Sequence, residues 1–106
     1  TLTERTKIED MVISKAREFN ISPELFLRIA ICESGLKTDA QNPRSTASGI
    51  FQFLNSTFFN YAQAYDLPVS DKNDPEIQAE LAALMIRDGG LSHWNASKSC
   101  WSSVAG

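Results

Sequence analysis

Hydrophobic residues recur every three or four positions along four stretches of the chain, which is the spacing of amphipathic helices. The first stretch covers residues 3–19, where Lys15 is the one polar interruption among Ile8, Met11, Val12, Ala16 and Phe19. The second begins near residue 23 and places on one face Phe26, Ile29, Ala30 and Glu33. Two further helices are predicted over residues 55–65 and 75–88. The pattern therefore predicts a mainly helical protein.

Capping residues mark where these helices begin and end. Ser22-Pro23-Glu24 and Asp74-Pro75-Glu76 each combine an N-cap side chain, a proline at the first helical position and an acid near the positive end of the helix dipole. Residues 55–57, Asn-Ser-Thr, predict an N-cap for the third helix. Gly35 and Gly89-Gly90 are placed to end the second and fourth helices.

The polar stretch of residues 36–48 separates the second helix from the third. It contains several small residues and an Asn-Pro pair, and no convincing alternation of apolar and polar positions. It therefore predicts a long loop or a minimal hairpin, and loops of this length in a compact domain are usually functional. With 106 residues, of which 42% are hydrophobic, the chain can bury one core, so we expect a single domain over residues 1–106.

Composition argues against several classes of protein. The net charge is −3 and no basic stripe is present, which argues against nucleic acid as a partner. No run of 18 apolar residues occurs, so no membrane span is predicted. One histidine and two cysteines, without CxxC or HxxxH spacing, predict no metal site. We expect a monomer that needs no cofactor.

The two cysteines, Cys32 and Cys100, permit one intramolecular disulfide. Such a bridge would tie the second helix to the C-terminal residues and would indicate an oxidising compartment. Two buried free thiols are the alternative, because cysteine also behaves as a small apolar residue. The sequence favours the disulfide and leaves both arrangements open.

Glu33 occupies an unusual position, in the last turn of the second helix and on the face that it shares with apolar residues. A carboxylate is costly to bury, and the negative end of a helix dipole also disfavours its charge. Both effects raise a carboxyl pKa, as the general acid of a glycosidase requires. A structural glutamate with its head group in water is the alternative.

Three motifs resemble those of lytic transglycosylases with a lysozyme-like fold. CESG at residues 32–35 is followed by ASGIFQF at residues 47–53 and by STF at residues 56–58. The combination is also similar to resuscitation-promoting-factor domains, goose-type transglycosylases and phage endolysins, most strongly over residues 25–65. The resemblance implies a mainly α (α+β), lysozyme-like domain that cleaves the β-1,4 MurNAc–GlcNAc bond of peptidoglycan glycan strands. It implies a secreted or cell-envelope protein, bacterial or phage-borne.

The resemblance also implies roles for individual residues. Glu33 matches the single catalytic acid/base, and Ser34 matches a small residue that packs behind it. The candidates for binding the sugar are Ser48, Gln52, Asn55, Tyr61 and Trp94. Gln52 could equally be a buried amide that binds the backbone. Trp94 and Trp101 are candidates for stacking on a sugar or for the core, and large aromatic residues near a disulfide more often belong to the core. The phenylalanines expected in the core are Phe51, Phe53, Phe58 and Phe59.

One departure from the family pattern leaves the reaction product open. Many transglycosylases carry a late Y-N-A-G motif, whereas residues 93–97 of this chain read HWNAS, with Trp94 in place of the tyrosine. A hydrolytic muramidase would need a second carboxylate, for which Asp39 is the candidate, although a solvated loop acid is the more ordinary role for it. A non-catalytic cell-wall-binding module with the same fold is the alternative from another class.

Overall fold

The computed structural model describes the backbone of residues 2–104 and the side chains of residues 3–103. It confirms the mainly helical prediction. The four long helices are α1 (Leu2–Glu18), α2 (Pro23–Ser34), α3 (Asn55–Ala64) and α4 (Pro75–Arg87). A C-terminal segment follows, consisting of a 3-10 helix (Leu91–Ser97), α5 (Lys98–Trp101) and a second 3-10 turn (Ser102–Val104).

Two helices begin as their capping residues predict. The N–H of Leu25 donates to Ser22 Oγ at 3.3 Å at the start of α2. The carboxylate of Asp74 accepts from the two N–H groups at the start of α4. The predicted cap of α3 is wrong, because Leu54 occupies the N-cap position and offers no side-chain bond. The N–H of Asn55 instead donates to Thr46 Oγ1 at 2.9 Å, so a hydroxyl from the preceding loop satisfies this donor.

The core lies between α1, α2 and α4 and is closed by aromatic side chains from the loop and the C-terminal segment. Its largest fully buried residues include Phe26, Phe51, Phe58 and Trp101. The prediction that Phe59 belongs to the core is wrong, since its side chain is 50% exposed. Phe58 and Ala62 take the inward face of α3, and the neighbouring Phe59 points outward.

Lys15, the polar interruption in α1, pairs with Glu80 of α4 at 2.5 Å. The ion pair spans two helices that pack together, so the lysine keeps an apolar stem against the core and its charge at the edge.

The loop between α2 and α3 contains only isolated β-bridges, Gln41 with Ser48 and Ser48 with Phe53. Ser48 and Phe53 exchange backbone hydrogen bonds of 3.1 and 3.2 Å, which close a tight turn that we call the Gly49 turn (residues 48–53). The prediction of a long loop or minimal hairpin is confirmed. Within residues 2–104, none of the helices has both the length and the apolar character needed to cross a membrane.

A disulfide joins Cys32 of α2 to Cys100 of α5, with the two Cα atoms 6.1 Å apart. This outcome decides between the two arrangements that the sequence left open. The bridge fixes the C-terminal segment against the end of α2, directly beside Glu33.

Candidate active site

Glu33 lies in the last turn of α2, half-buried between that helix and the C-terminal segment. Gly35 ends the helix in the left-handed conformation with φ of 64°, and its N–H donates to the carbonyl of Ile31 at 2.8 Å. Burial raises the pKa of the Glu33 carboxyl above its ordinary value, and a hydrogen bond from Ser97 lowers it in part. The predicted position is therefore confirmed: the carboxyl group lies where desolvation favours its protonated form.

Ser97 is a site residue that sequence reasoning missed. Its hydroxyl donates to Glu33 Oε2 across 64 positions of sequence. Ser97 Oγ in turn accepts a hydrogen bond from Trp101 Nε1 at 3.1 Å. Ser97 is the last residue of the HWNAS stretch that departs from the family motif, and that departure was the signal available in the sequence.

Ser34 joins the end of α2 to the Gly49 turn. Its hydroxyl lies 2.8 Å from the carbonyl oxygen of Ile50 and 3.0 Å from that of Ala30, and it accepts from the N–H of Leu36 at 3.1 Å. These contacts hold the residue that follows Glu33 in place, which agrees with the predicted packing role.

A fully buried glutamine of α4, Gln78, holds the Gly49 turn from the other side. Its Oε1 accepts from the N–H of Phe51 at 2.9 Å. Its Nε2 donates to the carbonyl oxygens of Ser48 at 3.0 Å and Lys72 at 2.8 Å. Sequence reasoning missed this residue. The available signal was its spacing, because Gln78 lies three positions before Leu81 and seven before Met85 and so shares the inward face of α4 with them.

Gln52 also has a structural role in the Gly49 turn. Its amide nitrogen donates to the carbonyl oxygens of Ala40 at 3.1 Å and Gly49 at 2.9 Å. Its own backbone is left-handed, with φ of 53°, so these bonds support a conformation that non-glycine residues rarely adopt. Of the two roles that the sequence allowed, backbone binding is present.

Ser48 is not an exposed sugar ligand. It is 4% exposed, and its hydroxyl donates to Asn73 Oδ1 at 2.7 Å while accepting from Lys72 Nζ at 2.9 Å. The ammonium of Lys72 also donates to the carbonyl of Thr46 and to Asn55 Oδ1, so its three protons all have neutral acceptors. Burial lowers the pKa of Lys72. The cluster pins the loop to the start of α4, and binding of sugar by Asn55 remains a prediction.

Trp94 belongs to the core rather than to a sugar-binding surface. It is 4% exposed, and its Nε1 donates to the carbonyl of Phe51 at 3.1 Å. Its ring meets those of Phe51 and Phe53 edge-on, at centroid distances of 6.1 and 5.9 Å.

Tyr61 is 37% exposed and packs edge-on against His93 at 5.2 Å, so a sugar-binding role for it stays a prediction.

Asp39 is exposed on the loop that follows α2. It lines a cavity of about 610 Å³ between that loop and the first part of α1, together with Arg5 and Lys37.

Within the described residues, no group of three or more His, Cys, Asp or Glu side chains is arranged to hold a metal ion.

Replacing Gly49 by alanine should destabilise the fold by about 2–3 kcal/mol, through left-handed strain and overpacking. Gly49 has φ of 85°, and a Cβ there would lie 2.1 Å from Nε2 of Gln78, whose side-chain amide is held in place by three hydrogen bonds. Gly89→Ala is the matched control, because Gly89 has φ of 91° and open space around it. Urea unfolding of both variants measures the difference, and equal losses would contradict the contact with Gln78.

Comparison with known proteins places these features in a family. The sequence model of the transglycosylase SLT domain family matches residues 10–99 of this chain. Probable transglycosylase SceD from the Staphylococcus aureus strains Newman, Mu3 and USA300 is 39% identical over 82 residues, which cover 76% of this chain. The same residues cover 35% of each relative, so the match spans about a third of those proteins. No solved structure gives a significant match.

Proposed function

This chain belongs to the transglycosylase SLT domain family, and we propose that it cleaves the β-1,4 bond between MurNAc and GlcNAc in peptidoglycan. The proposal assigns the acid and base steps to one carboxyl group, that of Glu33. It also assigns a 1,6-anhydro-MurNAc end to the product. The observation that carries it is the half-buried Glu33 at the end of α2, whose pKa is raised by burial.

A raised pKa supports the first step, because the leaving oxygen of a glycoside must receive a proton. Glu33 gives its proton to the oxygen that joins C1 of MurNAc to C4 of GlcNAc, and the C1–O bond breaks. The GlcNAc chain leaves with a hydroxyl group, and the electron deficiency at C1 is stabilised by the carbonyl oxygen of the sugar's own N-acetyl group.

The second step returns the proton to Glu33. Its carboxylate removes the proton from the C6 hydroxyl of MurNAc, the C6 oxygen attacks C1, and the 1,6-anhydro ring closes. Atoms and charges balance, with one proton given and one recovered. A water in place of the C6 hydroxyl would give the hydrolysed sugar, which is the muramidase alternative.

The site of action proposed is the cell envelope or the extracellular space. Peptidoglycan is found there, and the Cys32–Cys100 disulfide supports an oxidising compartment.

The mass of the released muropeptides tests the proposal. We expect products from purified peptidoglycan to be lighter by one water than the hydrolysis products of the same strands. The Asp39→Asn variant should give the same products at a similar rate, because the proposed reaction needs no second carboxylate. Products of full hydrolysis mass, lost in Asp39→Asn, would replace the proposal by a muramidase. Binding to peptidoglycan without any product would favour a wall-binding module.

A further inference from the structure

Ser97 has one hydroxyl proton and two acceptors within reach. Its Oγ is hydrogen-bonded to Glu33 Oε2 and lies 3.2 Å from the carbonyl oxygen of Trp94. On its other side, the indole N–H of Trp101 donates to it at 3.1 Å. Because a hydroxyl has a single proton, it can donate fully to only one of the two acceptors at a time.

The charge of Glu33 decides which acceptor is preferred. An ionised carboxylate is a stronger acceptor than a peptide carbonyl, so the Ser97 proton goes to Glu33 when that residue is charged. When Glu33 holds a proton, its own O–H can donate to Ser97 Oγ, and the carbonyl of Trp94 offers the Ser97 proton another acceptor. The indole of Trp101 holds the oxygen in position in both states.

We propose that Ser97 is a positioning residue for Glu33, whose hydroxyl donates to the carboxylate when it is ionised and turns to the Trp94 carbonyl when it is protonated. This inference rests on the proposed function, in which Glu33 alternates between those two states. Ser97 then stabilises the carboxylate formed by the acid step and holds it in one orientation until the base step.

Ser97 is the side chain whose hydrogen bond counters the effect of burial on the pKa of Glu33. Titratable side chains occur on the elements around this end of α2, but burial and the Ser97 hydroxyl are the two causes of the pKa shift of Glu33. Those other groups are Glu4, Arg5 and Lys7 of α1, Lys37 and Asp39 of the loop, and His93 and Lys98 of the C-terminal segment. The Gly49 turn carries no charged residue.

Replacing Ser97 by alanine should raise the pKa of Glu33 by about one further unit, the size expected for a hydrogen bond to a charged group. The pKa rises because the variant loses a hydroxyl donor that favours the charged carboxylate of Glu33. The limb on which kcat/KM falls as Glu33 loses its proton should move upward in pH by the same amount. Ser97→Thr retains the hydroxyl and should restore the original profile. Trp101 Nε1 still has the Trp94 carbonyl at 3.2 Å, so the alanine variant leaves that donor satisfied.

The experiment combines two readouts on the intact domain. Carboxyl ¹³C NMR titration gives the Glu33 pKa without substrate, and the pH profile of muropeptide release gives the kinetic value. Ser92→Ala, an exposed serine in the same 3-10 helix, is the matched control and should change neither. An unchanged Glu33 pKa in Ser97→Ala, or lower activity with an unshifted profile, would overturn the inference. A wild-type protein that releases no product would instead reject the proposed function, and the NMR titration would still decide whether Ser97 controls Glu33.

Discussion

Glu33→Gln should lose peptidoglycan cleavage by roughly 10³-fold, within the range that general acid–base catalysis contributes. Glutamine keeps the shape of the side chain and can still accept from Ser97, but it has no proton to give to a glycosidic oxygen. Glu24→Gln is the matched control on the same helix, where the acid is exposed in the first turn. Muropeptide release by the two variants, followed by mass spectrometry, measures the effect. A Glu33→Gln variant within tenfold of wild type would place the acid elsewhere.

The same variant should be at least as stable as wild type at neutral pH. Because burial raises the pKa of Glu33 in the folded state, the native protein holds this proton more tightly than the unfolded chain does. Glu33 therefore stabilises the fold at pH values below its pKa in the unfolded chain. That contribution is lost as pH rises through its raised pKa in the folded protein. The melting temperature of Glu33→Gln relative to that of wild type should therefore rise across that pH range and stay constant above it. A variant less stable than wild type at pH 7 would show that the carboxylate itself stabilises the fold.

The sequence predicted features that depend on neighbouring residues along the chain. Ser22 and Asp74 cap their helices because an N-cap bond reaches only two or three positions ahead. Gly35 ends α2, and the periodicity of that helix placed Glu33 at the edge of the core. Such features depend on residues that lie close together in the chain, so a single sequence suffices to predict them.

The features that the sequence missed are contacts between distant segments. Ser97 reaches Glu33 across 64 positions, and Gln78 reaches Phe51 across 27. Neither residue is distinguished by its own type, and serine and glutamine are common on surfaces. Their partners exist only after the helices pack. The sequence left the role of Trp94 open for a related reason, since an amphipathic aromatic suits both a sugar platform and a core. The contact with the Phe51 carbonyl and the burial of its ring place it in the core.

Removing the disulfide should have the largest effect on stability. The bridge joins residues 68 positions apart, and by the loop-entropy relation closing such a loop contributes about 4 kcal/mol. A domain of this size has a total stability of roughly 5–15 kcal/mol, so a Cys32→Ala/Cys100→Ala variant should unfold at a markedly lower urea concentration. Dithiothreitol should reduce the stability of wild type by a similar amount and leave the double variant unchanged, which separates loss of the bridge from loss of the two side chains.

The disulfide should also affect the chemistry of Glu33, because each half-cystine directly precedes a residue of the candidate site. Cys32 precedes Glu33 on α2, and Cys100 precedes Trp101, whose indole holds the Ser97 hydroxyl. Without the bridge, packing and the Ser97–Glu33 hydrogen bond still hold the described part of the C-terminal segment to α2. Among molecules that remain folded, the pH profile of the double variant should therefore move toward that of Ser97→Ala. A loss of stability with an unchanged profile would show that packing alone positions Ser97, and that the disulfide acts on the unfolded state.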